Sequence, residues 1–111
     1  MENGFYSTLV EGSTAHLGTT IIEDNRIRGG DAEFLYSGTI NQSGDDVVAN
    51  LRFRSYKAGD NNNFLDFTER DFEMSLSGQV TEEGFRVTGY SPNGREMIVI
   101  GKRLSAIDFS D

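Results

Sequence analysis

The chain has 111 residues, of which 18 are acidic and 10 are basic, so its formal net charge at neutral pH is -8. A chain of this length fits one domain, residues 1–111, and buries about 60–65% of the surface that the unfolded chain exposes. The negative charge repels the phosphates of nucleic acids and of anionic lipids, which argues against both as direct partners. The composition therefore favours a basic or neutral protein partner.

Cysteine and leader patterns limit the cellular location that we expect. The sequence contains no cysteine, so it has neither a disulfide framework nor thiolate chemistry. Residues 1–4 lack the basic and apolar regions of a secretory signal. The longest apolar run, 97–100, has four residues, whereas a membrane-spanning helix needs about 20. We therefore expect a cytoplasmic protein that makes no membrane contact.

Short runs rich in Thr, Ile, Phe and Tyr, separated by glycine and polar residues, predict β-strands through the first half of the chain. These predicted strands lie near residues 4–10, 15–23, 26–28 and 33–42. The second and third are separated by Asp24-Asn25, a residue pair that suits a tight hairpin turn. The segment 57–70 does not fit the strand pattern, and it predicts one longer loop or a short helix.

A strict period of two marks the strands of the second half. Over 46–54 the apolar side chains fall on alternate positions, which places them on one face of a strand. These residues are Val47, Ala49, Leu51 and Phe53. The same period recurs over 72–77 and 85–88, and polar turns at 81–84 and 91–94 separate the strands of a three-stranded meander.

The total is about eight short antiparallel strands, which form either a sandwich or a closed barrel. Closure leaves no exposed strand edge, so we expect an all-β fold with a single eight-stranded up-and-down barrel. Glycines inside predicted strands favour the barrel, because its wall bends most where a side chain is absent; ordinary β-bulges are the alternative. These glycines are Gly18, Gly38, Gly78 and Gly89.

The stretch Gly29-Gly30-Asp31 interrupts a run of strand-forming residues. We expect a structural turn in which the two glycines adopt backbone angles closed to other residues and the Asp31 carboxylate accepts bonds from nearby amides. A phosphate-binding loop would need a lysine and a following helix, and this stretch has neither.

Catalytic and metal-binding patterns are absent from the sequence. His16 is the single histidine, and no nucleophile motif accompanies it. Carboxylate pairs such as Asp45-Asp46 and Glu82-Glu83 fall in predicted turns, where charges usually stay solvated. We therefore expect no enzyme activity, no metal and no cofactor.

The sequence suggests two alternative binding surfaces. Basic residues next to aromatic ones, at Arg26, Arg28, Arg52, Arg54, Phe53 and Tyr56, suggest a face for single-stranded nucleic acid, although the acidic balance opposes it. Alternatively, inward aromatic side chains could line a lumen for one small apolar ligand, unless they simply fill the core. These aromatic residues are Phe5, Phe34, Tyr36, Phe53, Phe72 and Phe85.

Several short motifs occur together in a characteristic order. They are Asn3-Gly4-Phe5-Tyr6, Ile27-Arg28-Gly29-Gly30-Asp31, Tyr36-Ser37-Gly38 and Leu76-Ser77-Gly78. In this order, over about residues 3–104, the chain resembles the GrlR-like negative regulators of bacterial type III secretion. The resemblance implies a lipocalin/calycin-like barrel, a homodimer and no catalytic activity.

The resemblance also implies a partner. The family binds and silences a transcriptional activator of secretion genes through an exposed acidic stretch between two strands. The matching turn in this chain is 41–46, where Asp45 and Asp46 carry the acidity. We therefore expect a regulatory protein that binds an activator; the alternative is a small-ligand barrel of the calycin type. Apolar side chains on outward faces, at Val48, Ile98 and Ile100, agree with a homodimer.

Overall fold

The computed structural model describes residues 1–11, 17–56 and 71–111. The strands are β1 (Gly4–Val10), β2 (Leu17–Glu23), β3 (Arg26–Gly30), β4 (Phe34–Ser43), β5 (Asp46–Ser55), β6 (Asp71–Val80), β7 (Gly84–Tyr90) and β8 (Glu96–Ser105). Each strand pairs antiparallel with the next along the chain, and β8 pairs with β1 to close the barrel. The all-β, eight-stranded up-and-down barrel is confirmed, and its shape is consistent with that of lipocalins and calycins. The loop or helix predicted at 57–70 lies outside the described residues.

The core lies inside the barrel and draws apolar side chains from every strand. Along β5 the four predicted residues from Val47 to Phe53 are buried, and the side chains between them are exposed. The same alternation holds along β6 and β7. The inward faces predicted from the period of two are therefore confirmed for these three strands.

Because successive strands run in opposite directions, the connections alternate between two ends of the barrel. We call one end the turn end: it carries the connections 24–25, 44–45 and 81–83, together with residues 1–3 and 106–111. The opposite end, which we call the loop end, is where β1, β3, β5 and β7 finish. The connections 31–33 and 91–95 lie there.

Two-residue hairpins form the tightest parts of the turn end. Asp24 and Asn25 both have positive φ, 52° and 65°, which is the signature of a type I′ turn. The predicted hairpin at this pair is therefore confirmed. Gly44 has φ 61° and, with Asp45, forms a second two-residue hairpin turn, between Ser43 and Asp46, in which Asp45 is not among the residues with positive φ.

The predicted role of Gly29 and Gly30 is wrong, whereas that of Asp31 is right. Both glycines belong to β3, and neither is among the described residues with positive φ. Position 29 requires a glycine because β2 passes close by: a Cβ there would lie 2.3 Å from the carbonyl oxygen of Thr19. The turn begins at Asp31, whose Oδ1 accepts hydrogen bonds of 2.8 Å from the amides of Glu33 and Phe34.

Gly78 illustrates the glycines inside strands. A Cβ at this position would lie 1.9 Å from the carbonyl oxygen of Arg86 on the neighbouring strand, so no larger residue fits. The ladder that joins β6 to β7 keeps its register at Gly78. The glycine is therefore not at a bulge, and it is required by the close approach of the β7 backbone.

Candidate functional site

The lumen contains five of the six predicted aromatic side chains. These buried residues are Phe34, Tyr36, Phe53, Phe72 and Phe85. Towards the loop end, Phe53 and Phe72 stack with ring centroids 5.2 Å apart, and Phe34 packs edge-on against both. Such edge-to-face and offset-stacked contacts add stability beyond the area that they bury. The rings pack against one another and occupy the lumen.

Phe5 was predicted to be the sixth inward aromatic residue, and that prediction is wrong. On β1 the inward positions are taken by Tyr6, Thr8 and Val10, so the period of two turns Phe5 outward. The Phe5 ring stacks on Phe109 at a centroid distance of 5.7 Å. Tyr6 takes the inward position, where its ring is buried. Its hydroxyl still has a partner there, because it donates a 2.6 Å hydrogen bond to the Glu2 carbonyl oxygen.

Three hydroxyl groups meet inside the barrel, from β1, β2 and β4. The Tyr36 hydroxyl lies 2.7 Å from Thr8 Oγ1 and 2.8 Å from Thr20 Oγ1, and Thr20 also donates to Thr8 at 3.3 Å. Burial raises the pKa of Tyr36 above its ordinary value, and its hydrogen bonds with Thr20 and Thr8 act in the opposite direction. Sequence reasoning missed Thr8 and Thr20, although Thr8 follows the phase of Tyr6 and Val10 along β1.

A small cavity of about 30 Å³ lies beside this hydroxyl cluster. Its wall is mostly apolar and includes Ile27, Leu51 and Val87, with Thr8 and Tyr36 supplying polar groups. This volume is about that of a single water molecule in the liquid. Within the part of the chain that the structure describes, side chains therefore fill the lumen, and a larger ligand would have to displace them.

The turn end gathers acidic residues from three separate turns. Asp45 and Asp46 are exposed in the β4–β5 turn, as are Asp24 in the β2–β3 turn and Glu82 and Glu83 between β6 and β7. We call these five residues the acidic rim. The sequence pattern named the two aspartates of 41–46, but only the barrel closure brings the other three carboxylates to the same end.

Backbone hydrogen bonds connect the rim turns to the strands beside them. The Val80 amide donates to the Asp45 carbonyl oxygen at 2.9 Å, and the Arg103 amide donates to the Glu83 carbonyl oxygen at 2.7 Å. The Ile40 amide donates to the Asn25 carbonyl oxygen at 2.9 Å. These bonds connect the backbone of each turn to a neighbouring strand, so the carboxylates project from hydrogen-bonded turns.

The nearest cations neutralise the rim only in part. Lys102 Nζ lies 3.4 Å from Glu83 Oε2, the one ion pair that the rim makes with other described residues. Arg103 is engaged elsewhere: it donates to the Asn3 carbonyl oxygen through two nitrogens and to Asp111 Oδ2 at 2.6 Å. The hydrogen bond with Asp111 is the largest of the effects that raise the pKa of Arg103. The other four rim carboxylates make no ion pair within residues 1–11, 17–56 and 71–111, and Asp24 Oδ1 accepts a 3.4 Å hydrogen bond from Asn3 Nδ2.

Neither a metal site nor a membrane span emerges from the described ranges. Residues 1–11, 17–56 and 71–111 contain no group of three or more His, Cys, Asp or Glu placed to hold a metal ion. No helix in these same ranges is long and apolar enough to cross a membrane. His16 lies outside them.

No protein-family model matches the sequence, and no curated protein matches it significantly.

Proposed function

We propose that this chain is a non-enzymatic, cytoplasmic regulatory module that binds a basic segment of a protein partner through the acidic rim. The observation that carries the proposal is the convergence of Asp24, Asp45, Asp46, Glu82 and Glu83 at one end of the barrel, all exposed. The resemblance to GrlR-like negative regulators supports a transcriptional activator as that partner. In that family the acidic stretch between two strands makes the contact, and Asp45 and Asp46 lie at the matching turn.

Electrostatics explains why several carboxylates are needed together. One exposed ion pair contributes only about 0.2–1 kcal/mol, so two or three pairs must form at once for useful affinity. Exposed charges also steer the encounter and reject partners of the wrong sign. Because the ionic atmosphere screens such contacts, binding through the rim should weaken as salt concentration rises.

The test uses a fluorescently labelled Lys/Arg-rich peptide, with binding followed by anisotropy at low and high salt. Asp45→Lys/Asp46→Lys reverses two rim charges and should weaken binding by about tenfold or more, the loss expected when two surface pairs are removed and repulsion replaces them. The matched control, Glu11→Lys/Glu96→Lys, makes the same change of net charge at the loop end, where both residues are exposed. Equal losses in the two variants would overturn the rim as the binding site.

A pull-down from native cytoplasm with the same variants addresses the identity of the partner. The unmutated protein and the loop-end control should both recover a transcriptional activator, and the rim variant should lose it. Recovery of the same proteins by all three baits, or of no regulator by any, would contradict the regulatory role.

A homodimer remains part of the proposal, with a revised surface. Leu9 pairs in register with Leu17 on one side and with Ile100 on the other, so the three share the outer face of β1, β2 and β8. Val48, by contrast, lies on β5, away from this patch. Light scattering at micromolar concentration should give twice the chain mass, and Leu9→Asp should shift that mass towards one chain. A monomer in both cases would contradict the dimer.

A second candidate function is binding of a small apolar ligand in the lumen. The observation behind it is the mostly apolar cavity beside Thr8 and Tyr36: a ligand larger than one water would have to displace lumen side chains, and the two hydroxyl groups would then orient its polar end. A ligand that binds only the folded state raises the melting temperature, and the shift grows with the ratio of ligand concentration to its Kd. A thermal-shift screen with fatty acids and small aromatic compounds that gives no stabilisation would exclude those ligands.

A further inference from the structure

The outer wall of the barrel carries a cluster of arginines on β3 and β5. Arg26 and Arg28 point outward from β3, and Arg52 and Arg54 point outward from β5. The strand between them, β4, holds Ser37 in register with both Arg28 and Arg52. We call these four arginines, with the exposed Leu35, Ser37 and Thr39 of β4, the arginine face.

This face differs in charge from the rest of the molecule. It contains four of the chain's ten basic residues. Among the described residues its neighbouring carboxylates are Glu23, Asp71 and Glu73, so within these residues the face has four positive and three negative charges, on a chain whose net charge is -8. At physiological salt, charges farther away than about 8 Å are largely screened. A short ligand on the wall therefore responds chiefly to the arginines beneath it.

Asp71 holds two of the guanidinium groups in a fixed arrangement. Arg52 binds it in a bidentate manner, with Nε to Oδ1 at 2.7 Å and Nη2 to Oδ2 at 3.0 Å. Arg54 donates to the same Oδ2 through Nε at 3.2 Å and Nη2 at 3.1 Å. The hydrogen bond with Arg52 is the main cause that lowers the pKa of Asp71. Two cations thus share one anion, and Nη1 of each makes no further bond within the described residues.

A trough runs beside these arginines along β4, β5 and β6. One hollow of about 270 Å³ is lined by Leu35, Ser37, Arg52 and Arg54, and an adjoining hollow of about 400 Å³ shares Ser37 and Arg52. In the second hollow Ser75 donates to Asn50 Oδ1 at 2.9 Å, which leaves the Asn50 amide nitrogen as a donor. Leu35 is 51% exposed and adds an apolar contact.

The trough suits a peptide better than a nucleic acid. Stacking of successive bases needs several exposed aromatic rings, but Phe53 points into the core with 7% exposure, which leaves Tyr56, 53% exposed, as the one of the two predicted rings that a base could reach. Glu73 lies directly opposite Arg52 across the β5–β6 ladder and would repel a continuous line of phosphates. Carboxylates spaced along a peptide avoid this residue and still reach the guanidinium groups, for which bidentate pairing is the preferred geometry.

We propose that the arginine face binds an acidic peptide segment of a second protein partner, with its carboxylates on Arg52, Arg54 and Arg28 and an apolar side chain on Leu35. The site is separate from the acidic rim and has the opposite preference for charge. A partner that carried both a basic and an acidic segment would occupy the end and the wall of the barrel together.

The test measures anisotropy of a fluorescein-labelled peptide with repeated Glu-Leu-Glu-Gly units, against the same peptide with Gln in place of Glu. Arg52→Gln/Arg54→Gln should weaken binding of the acidic peptide by about tenfold, the loss of two charge-assisted contacts, and the Gln peptide should bind no form of the protein. The matched control, Arg86→Gln/Lys102→Gln, removes the same charge from β7 and β8 and should leave affinity within about twofold. Equal weakening in the two variants, or no binding by the unmutated protein, would overturn the proposal.

Asp71→Asn provides an independent check that does not remove an arginine. It frees both guanidinium groups from their internal carboxylate, so affinity for the acidic peptide should rise severalfold; a fall in affinity would contradict the proposed contact. An oligothymidylate that displaces the peptide at lower concentration than the unlabelled peptide itself would assign the face to nucleic acid instead. Asp45→Lys/Asp46→Lys should leave peptide binding in place, which separates this site from the rim.

Discussion

The two ends of the barrel differ in the exposure of their buried apolar side chains. Towards the turn end these side chains are 0–3% exposed, at Tyr6, Ile22, Ile27, Ile40, Val47 and Phe85. Towards the loop end they are 3–9% exposed, at Val10, Phe34, Tyr36, Phe53, Phe72 and Met97. Short hairpins close the turn end, whereas aromatic rings packed against one another fill the described part of the loop end.

The backbone conformation of two-residue turns explains how short hairpins close the turn end. Two-residue turns with positive φ match the twist of the paired strands, so Asp24-Asn25 and Gly44-Asp45 bring neighbouring strands together without extra chain. Arg103 adds a tertiary contact there by binding both Asn3 and Asp111. The same turns carry the carboxylates of the acidic rim, so the end that short hairpins close is also the end that presents the candidate partner site.

The largest predicted effect on stability compares truncation of a completely buried leucine with truncation of a leucine beside the cavity. Leu76 is completely buried, whereas Leu51, which lines the cavity, is 8% exposed. We expect Leu76→Ala to lower the free energy of unfolding by about 4 kcal/mol and Leu51→Ala by about 2–3 kcal/mol, because the space around Leu51 is already incompletely filled. Urea denaturation of both variants measures the difference. Equal losses would show that the two regions are packed alike.

A second comparison adds a methyl group at two glycines instead of truncating two leucines. In Gly78→Ala the new Cβ would meet the backbone of Arg86, whereas at Gly94, in the β7–β8 turn, nothing lies within 4 Å and only the positive φ of 84° opposes alanine. We expect a loss of about 3 kcal/mol at Gly78 and about 1–2 kcal/mol at Gly94. Thermal unfolding of the pair measures both, and a tolerated alanine at Gly78 would mean that the wall there can relax.

The smallest effect separates two tyrosines. Tyr36→Phe deletes a hydroxyl from the buried cluster and should cost about 1–2 kcal/mol at pH 7, whereas Tyr6→Phe deletes a single bond to Glu2 and should cost about 0.5–1 kcal/mol.

Burial raises the pKa of Tyr36 in the folded state, so the unfolded chain ionises first. The stabilisation that this provides is complete below about pH 10 and is lost as the pH rises through the folded pKa.

Chemical denaturation between pH 8 and 11 tests this dependence. The unmutated protein should lose stability with rising alkalinity more steeply than Tyr36→Phe, which lacks the ionisable group. Parallel profiles for the two proteins would show that the hydroxyl cluster does not resist ionisation.

Much of the fold could be predicted because its signals are local. Alternation along β5 and β6 determines which side chains face inward, and Asp24-Asn25 determines a hairpin through its own φ preference. Phe5 shows where this reasoning stops: Phe5 and Tyr6 are both large and apolar, so periodicity alone did not choose between them. Residues distant in sequence made the choice, since Phe109 covers the outward ring and Glu2 accepts the inward hydroxyl.

The features of the candidate sites also fall into two groups, those that depend on neighbours along the chain and those that depend on tertiary contacts. The sequence by itself determined the strands, the hairpin turns and the acidity of Asp45 and Asp46, because each depends on neighbours along the chain. Tertiary structure decided that Gly29 is required by the approach of Thr19, that Thr8, Thr20 and Tyr36 share one hydrogen-bonded cluster, and that arginines of two strands flank a third. The physical reason is that barrel closure sets which strands are neighbours and in which register, and these contacts between distant residues leave no periodic signal in the sequence.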